Sequence, residues 1–307
     1  MPIKIECYRG FANSNEIFLK GHAFKNYHIA PLKSSHGILN NFRNTLNRFS
    51  LKPLPGIEIK ISMKSGSKTF ITNNNGYFEA CIPYEKLSDG WHTYKAEWQE
   101  NETTTHAGIG EFLVLNKCES IIISDIDDTI LKSYSTKILR KVFLQLTKNA
   151  FSRKPVKNIS KIYKKWEVEQ SKAFFYVSSS EWNLYDFLLD FSSINNFPKG
   201  VYLLKTLKKL SDLLRSGYGS HMHKYDKIEF LIEKFPKKRF VLIGDNTQHD
   251  PLIFFQALIN HPKKIDAVFI HQAIKKQKAT IHLQKYCKEN QINFLLFNKS
   301  EELHERL

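Results

Sequence analysis

Two aspartates, Asp125 and Asp127, follow directly on an apolar run at Ile121–Ile123. At the end of an extended strand, alternate side chains share a side, so both carboxylates would face one site. The same spacing also occurs in solvated turns. A second apolar run, FFYV, ends in Ser178, Ser179 and Ser180 ahead of a helical pattern. Hydroxyls and free N–H groups at a helix N-terminus favour phosphate. A plain cap by Ser180 is the simpler alternative. Lys224 opens an amphipathic pattern through Ile228, Leu231, Ile232 and Phe235. A cation there opposes the helix dipole and calls for an anion or a carboxylate nearby, unless it is one more surface lysine. The run RFVLIG leads into Asp245, Asn246, Thr247, Gln248, His249, Asp250 and Pro251. Clustered hard oxygens such as those of Asp245 and Asp250 suit Mg²⁺, which also takes waters and substrate phosphate. Here Gly244 permits close backbone approach, Pro251 suits a first helical turn, and a capping role for Asp250 is the alternative.

The elements that must position these residues read as an α/β domain. Apolar runs at Ile121–Ile123, Phe174–Val177, Phe240–Ile243, Ala267–Ile270 and Phe294–Phe297 have the texture of buried parallel strands. Helical patterns at Asn183–Phe191, Ile228–Phe235, Leu252–Leu258 and about Ala279–Glu289 alternate with them. This predicts a doubly wound parallel sheet over residues 118–307, with ligands at the carboxyl ends of the strands.

Residues 1–117 read as mostly β. Ile57, Ile59, Ile61 and Met63 alternate with polar residues, the pattern of a half-buried strand. Asn73–Gly76 and Asp89–Gly90 mark turns. Short strands at this spacing predict a β-sandwich of transthyretin or immunoglobulin type. Within it, Ile38, Phe42, Leu46 and Phe49 lie at helical spacing. They predict a short amphipathic helix whose apolar stripe packs onto its own sandwich in preference to docking on a membrane.

The chain has 307 residues, 42% of them hydrophobic, and a formal net charge of +16. Whole-chain disorder is excluded by that composition. There is no apolar run of the length a spanning helix needs. The start, MPIKIECYRGF, lacks the apolar stretch of a secretory signal, so a cytoplasmic location is expected, with signal-less export left open. Its four cysteines form no C-x-x-C pair and its twelve histidines show no zinc-ligand spacing. Residues 131–172 carry a net +10, which points to an anionic partner or to a solvated helical face.

In chain order, each at a strand end or opening a helix beside one, these segments resemble the four signatures of the haloacid dehalogenase (HAD) superfamily of phosphohydrolases. They are DIDDT at 125–129, Ser178 after FYV, Lys224, and GDNTQHD at 244–250. More closely, YVSSSEWNLYDFL, FPKG, HKYDKI and FPKKRFVLIGDNTQHDP resemble the actin-patch-associated phosphatidate phosphatase family. The likeness extends to YRGF, NRF, TNNNGYF and DGWH in the first half. There are departures. Asn246–Thr247 stand where that family usually has Ser-Gly, Ser179-Ser180-Glu181 where it tends to have Asn-Ser-Pro, and Lys205 where an arginine is usual.

The resemblance implies Asp125 as nucleophile, forming an aspartyl-phosphate, and Asp127 as general acid and then base. It implies a Mg²⁺ site made by Asp125, the Asp127 carbonyl, Asp245 and Asp250, the last holding the metal's waters or orienting Lys224. It places the substrate phosphate on Ser178, Ser179 and Lys224. The basic segment at about 131–172, with Ile138, Leu139, Phe143, Leu146 and Phe151 as apolar positions, stands where the superfamily carries a cap. Lysines and arginines near the mouth favour anionic lipid headgroups. The expectation is a peripheral, interfacial enzyme that converts phosphatidate to diacylglycerol. Two alternatives stand beside it. One is the same chemistry on a soluble phosphomonoester, a phosphoprotein or a nucleic-acid end, though no stacking platform accompanies the basic run. The other is a non-catalytic membrane- or protein-binding module.

Overall fold

A computed structural model describes residues 2–30, 37–64, 66–84, 86–133, 147–206, 222–247, 249–275, 277–304 and 306. Two compact units emerge. Met1–Pro31 and Leu46–Lys117 form the first, and Leu32–Thr45 with Cys118–Leu307 the second. Ile138, Leu139, Phe143 and Leu146 of the expected cap lie outside the described residues.

The first unit is built from β1 (Ile3–Ala12), β2 (Glu16–Lys25), β3 (Lys52–Pro53), β4 (Glu58–Met63), β5 (Gly66–Ile71), β6 (Tyr77–Pro83), β7 (Gly90–Gln99) and β8 (Thr105–Val114). Helix α1 (Ile38–Phe49) lies between β2 and β3 in sequence. The expected alternation holds in β4, where Ile59 and Ile61 are buried between exposed Glu58 and Lys60. Asn73 Oδ1 accepts the N–H groups of Asn75 and Tyr77, and Gly76 takes a φ of 67°, the positive value the Asn-Gly turn requires. The strands do not split into two hydrogen-bonded sheets. They form one path, β3-β2-β1-β8-β7-β4-β5, with β6 also on β2. The short parallel pairing of Gly10–Ala12 with Phe112–Val114 stitches across what would be the gap. Ile5, Leu19, Ile61, Phe78, Tyr94 and Phe112 nonetheless share one core, so the sheet curls around it.

The second unit alternates β9 (Ser120–Ser124), α2 (Ile159–Glu169), β10 (Ala173–Glu181), α3 (Tyr185–Ile194), β11 (Val201–Lys205), α4 (Met222–Lys234), β12 (Arg239–Asp245), α5 (Asp250–Asn260), β13 (Ile265–His271), α6 (Lys278–Glu289) and β14 (Asn293–Phe297). Its sheet runs β11-β10-β9-β12-β13-β14, with every pairing parallel. The chain is therefore α/β, with one mixed and one parallel sheet. All five runs read as parallel strands are strands. Edge strand β11 was not among them, because VYLLK is short and has no alternation to mark it.

Two local readings are corrected. Strand β10 does not stop before the serines but runs through them to Glu181, its register shifting between Val177 and Glu181. Ser180 therefore caps no helix, and its hydroxyl turns to Asp127 instead. Helix α1 meets the expectation only in its second half, where Phe49 is buried and Leu46 half-buried. In its first half Asn41, Asn44 and Thr45 are buried, while Ile38, Leu39 and Phe42 are exposed.

Candidate active site

Central strands β9 and β12 lie side by side, with Ile243 level with Ser124. Their carboxyl ends therefore deliver Asp125 and Asp245 to one place, and Asp125 N–H donates to the Ile243 carbonyl at 2.8 Å. Asp250 reaches the same place from the first turn of α5, where an acid also suits the helix dipole. Gly244 makes this possible, since a Cβ there would overlap the Asp250 carboxylate. Ligand oxygens of Asp125, Asp245 and Asp250 lie within 4.8 Å of one another, and all three residues are buried.

Lys224 enters from the first turn of α4, whose Ile228, Leu231 and Ile232 are buried. Its Nζ lies 2.7 Å from Asp125 Oδ1 and donates to Asp250 Oδ1 at 2.5 Å. Three carboxylates and one ammonium leave an excess of negative charge in a dry place. Burial first, then Asp250, Asp245 and Asp127, hold the Asp125 carboxyl well above the ordinary range, against the pull of Lys224. Burial and Asp250 likewise push Asp245 up to about 7. For Lys224 burial works against its charge, yet Asp125, Asp250 and Asp245 outweigh it and strengthen its hold on the proton.

This donor set fits a hard divalent cation. All three candidate ligands are carboxylates, and Asp245 Oδ2 is buried with no hydrogen-bond partner among the described residues. Asp245 Oδ1 is held by the backbone N–H and hydroxyl of Thr247. The hydroxyl of Thr247 thus orients a candidate ligand.

The carboxylate of Asp127 stands apart from the three-acid group and accepts from Ser180 Oγ at 3.2 Å. Ser178 is fully buried, and its Oγ accepts the Ser180 N–H at 2.9 Å. Ser179 is half-buried beside it. The loop is fixed by neighbours. Asp128 sits at φ 57°, its carboxylate receives Ser133 N–H, and its carbonyl accepts from His271 Nδ1 at 2.7 Å. Thr129 Oγ1 donates to Asp125 Oδ2 at 3.3 Å.

Sequence reasoning missed two residues here. His271, at the end of β13, had no motif around it. Arg153 was counted only as part of the basic segment. It is buried, donates to the Lys132 carbonyl at 3.3 Å, and faces Asp127 and Asp128 electrostatically. Burial lowers its pKa, and the two aspartates work the other way.

A buried acid–lysine centre thus lies at the carboxyl ends of a parallel sheet, where open α/β sheets bind their ligands. Residues 120–272, about half of the chain, match the family described as phosphatidate phosphatase APP1, catalytic domain. Through this segment the chain belongs to the phosphatidate phosphatase family. Phosphatidate phosphatase APP1 of Saccharomyces cerevisiae is 30% identical over 151 residues, 48% of this chain and 25% of that protein. An uncharacterized Schizosaccharomyces pombe protein is 24% identical over 210 residues, 66% of this chain and 34% of its own. The chain thus matches a quarter to a third of the length of these curated relatives. Among solved structures, a Photobacterium 2,6-sialyltransferase aligns at 9% identity over 90% of this chain and 46% of its own, with a TM-score of 0.26 that carries no argument.

Proposed function

We propose that the chain is a Mg²⁺-dependent phosphatase of HAD type that hydrolyses phosphatidate to diacylglycerol and phosphate. The observation that carries this reading is the meeting of Asp125, Asp245 and Asp250 with Lys224, inside the segment matched to the catalytic-domain family. An Asp125 oxygen attacks phosphorus and the bond to the glycerol oxygen breaks. Asp127 gives its proton to the leaving alkoxide. Asp127 then takes a proton from the water that attacks the aspartyl-phosphate, which releases phosphate and restores Asp125. Lys224 holds the nucleophile's charge and steadies the phosphoryl oxygens. Ser178 and Ser179 supply hydroxyl donors to the same oxygens. Asp125, Asp245, Asp250 and the Asp127 carbonyl would hold the Mg²⁺, which supplies neutralisation of the charge between carboxylate and phosphate.

In this reading residues 118–307 are the catalytic domain with a basic cap at about 131–172, and residues 1–117 are an accessory β-sandwich-like domain. The enzyme works on anionic phospholipid from the cytoplasmic side, at the membrane periphery. No helix among the described residues is long and apolar enough to cross a membrane.

The test is phosphate release from phosphatidate in detergent micelles, with and without Mg²⁺, by the wild type and Asp125→Asn. Activity that needs the cation and vanishes in the variant is expected. A wild type without such activity on any phosphomonoester sinks the chemistry. Fast turnover of soluble esters with phosphatidate untouched sinks the lipid substrate alone.

A further inference from the structure

The first two turns of helix α1 present their side chains inside out, while Phe49 in the last turn is buried. Asn41, Asn44 and Thr45, at spacings of three and four, are buried on one face. Asn41 Nδ2 donates to the Thr147 carbonyl at 3.1 Å, and Thr45 Oγ1 bonds back to the Asn41 carbonyl. The hydrophobic residues of the same turns face out: Ile38 is 63% exposed, Leu39 79% and Phe42 38%. Folding in water normally places such residues inward, so three adjacent apolar side chains held outward by a polar anchor indicate a surface meant to be covered.

The charge around this face says what covers it. Residues 37–49 contain Arg43 and Arg48 and no acid. Residues 147–157, which start at the carbonyl that Asn41 holds, contain Lys148, Arg153, Lys154 and Lys157 and no acid. Arg43, Lys154 and Lys157 are exposed, as is Phe151. Exposed apolar side chains on segments whose charged residues are all cations fit an anionic bilayer surface, where the apolar groups enter the acyl boundary and the cations meet headgroups.

The surface is also coupled to the chemistry. Lys132 N–H donates to the Lys154 carbonyl at 3.0 Å and Val156 N–H to the Ile130 carbonyl at 2.9 Å. These bonds tie the 147–157 segment to the loop that carries Asp125 and Asp127.

We propose that Ile38, Leu39 and Phe42 of α1, with Phe151 and the cations Arg43 and Lys154, form an anionic-membrane docking surface beside the nucleophile loop. This deepens the phosphatidate reading and rests on it for the identity of the substrate. Docking through α1 keeps the active-site loop at the interface where a lipid substrate resides.

The experiment is sedimentation of the full chain with phosphatidylcholine vesicles, plain or containing phosphatidylserine, compared with Ile38→Ser/Leu39→Ser/Phe42→Ser and with Arg43→Glu/Lys154→Glu. Loss of three inserted apolar side chains is expected to weaken binding to the anionic vesicles by about tenfold or more. The charge variant is expected to lose most of its preference for anionic over plain vesicles. The triple variant should keep wild-type turnover of a soluble phosphomonoester and lose turnover of phosphatidate presented in vesicles. Unchanged vesicle binding by the triple variant overturns the proposal. So does a concentration-dependent dimer of the wild type that the triple variant abolishes, since a second copy would then be the occupant. Absence of Mg²⁺-dependent phosphatase activity with vesicle binding intact would instead count against the catalytic reading and leave the docking surface standing.

Discussion

Lys224 Nζ lies 2.7 Å from Asp125 Oδ1, an ion pair in which both side chains are almost fully buried. Neither group has water to turn to; the aspartate strengthens the ammonium's hold on its proton, while the ammonium only partly offsets the burial and neighbouring acids that hold the Asp125 carboxyl above its ordinary range. The same ammonium bridges to Asp250, so one lysine organises two of the three candidate metal ligands.

Lys224→Met therefore removes both the counter-charge and the bridge. Breaking a buried pair from one side costs about 3–5 kcal/mol, because the remaining charge is left without compensation. The variant is expected to lose phosphatase activity to background and to melt at a lower temperature in metal-free buffer. Added Mg²⁺ is expected to recover part of the stability and none of the rate. Lys224→Arg does not restore activity, since a planar fork cannot take the place of a compact ammonium between two carboxylates. Retained turnover in either variant would remove Lys224 from the mechanism.

Asp245 gives a pH signature. Its pKa of about 7 in the folded chain stands above the ordinary carboxylate value. The folded state therefore keeps a proton that the unfolded chain has already released. This contribution is fully present below about pH 4 and is lost as pH rises toward 7, worth on the order of a few kcal/mol. Metal-free protein is expected to lose stability across this window, while stabilisation by Mg²⁺ grows across it as the site ionises. Asp245→Asn should flatten both trends. Thermal melts at pH 4, 5.5 and 7, with chelator or Mg²⁺, measure this, and a metal-free melting temperature that climbs through the window would contradict it.

Thr247 sits directly on a candidate metal ligand. Both its backbone N–H and its hydroxyl donate to Asp245 Oδ1. Thr247→Gly keeps the backbone bond, loses the hydroxyl, and loosens the loop. Groups that orient a metal ligand are typically worth 10–100-fold in metal affinity or activity. The apparent Mg²⁺ requirement in the phosphatase assay is expected to rise by about tenfold, with little change in rate at saturating metal. An unchanged Mg²⁺ titration would show that the hydroxyl contributes nothing.

The parts of this architecture that could be read in the sequence are those fixed by local pattern. Apolar runs made the five parallel strands legible, and acids placed just after two of them pointed to Asp125 and Asp245. The neighbourhood of β9 and β12 turns those two into one site, and such adjacency is a tertiary fact. Pattern failed where two packings satisfy the same sequence. In α1 the apolar residues have helical spacing, but spacing does not say which face turns inward: Phe49 is buried as expected, while in the first turns Asn41, Asn44 and Thr45 are buried in place of Ile38 and Phe42. The serines after FFYV looked like a helix start. Pairing of Glu181 with Lys205 on β11 draws the strand past them, and β11 had not been read as a strand. Arg153 was invisible for a similar reason. Nothing in a lysine-rich run distinguishes one buried cation from its solvated neighbours until the fold buries it.

Arg153 yields the last prediction. The residue is 8% exposed, and the segment around it is bonded by backbone to Ile130 and Lys132. That places a permanent cation next to the loop holding Asp127 and Asp128, on a different element from Lys224. Arg153→Gln removes the charge and keeps a donor able to reach the Lys132 carbonyl. The ground-state phosphate remains held by Lys224 and the serines, so KM should change little. The rate should fall roughly 10–100-fold, the scale of one donor aimed at developing charge. Arg153→Lys should recover part of that rate, because charge returns without the guanidinium geometry. A merely structural role would lower stability and the fraction of active enzyme in proportion, and would leave the pH–rate profile unmoved. An electrostatic role shifts the limb of that profile that reports Asp127 toward higher pH, since removing a cation makes the carboxyl harder to ionise. Steady-state kinetics on a soluble ester from pH 5 to 9, beside thermal melts of each variant, separate the two, and a rate loss with no shift in the profile would assign Arg153 to packing.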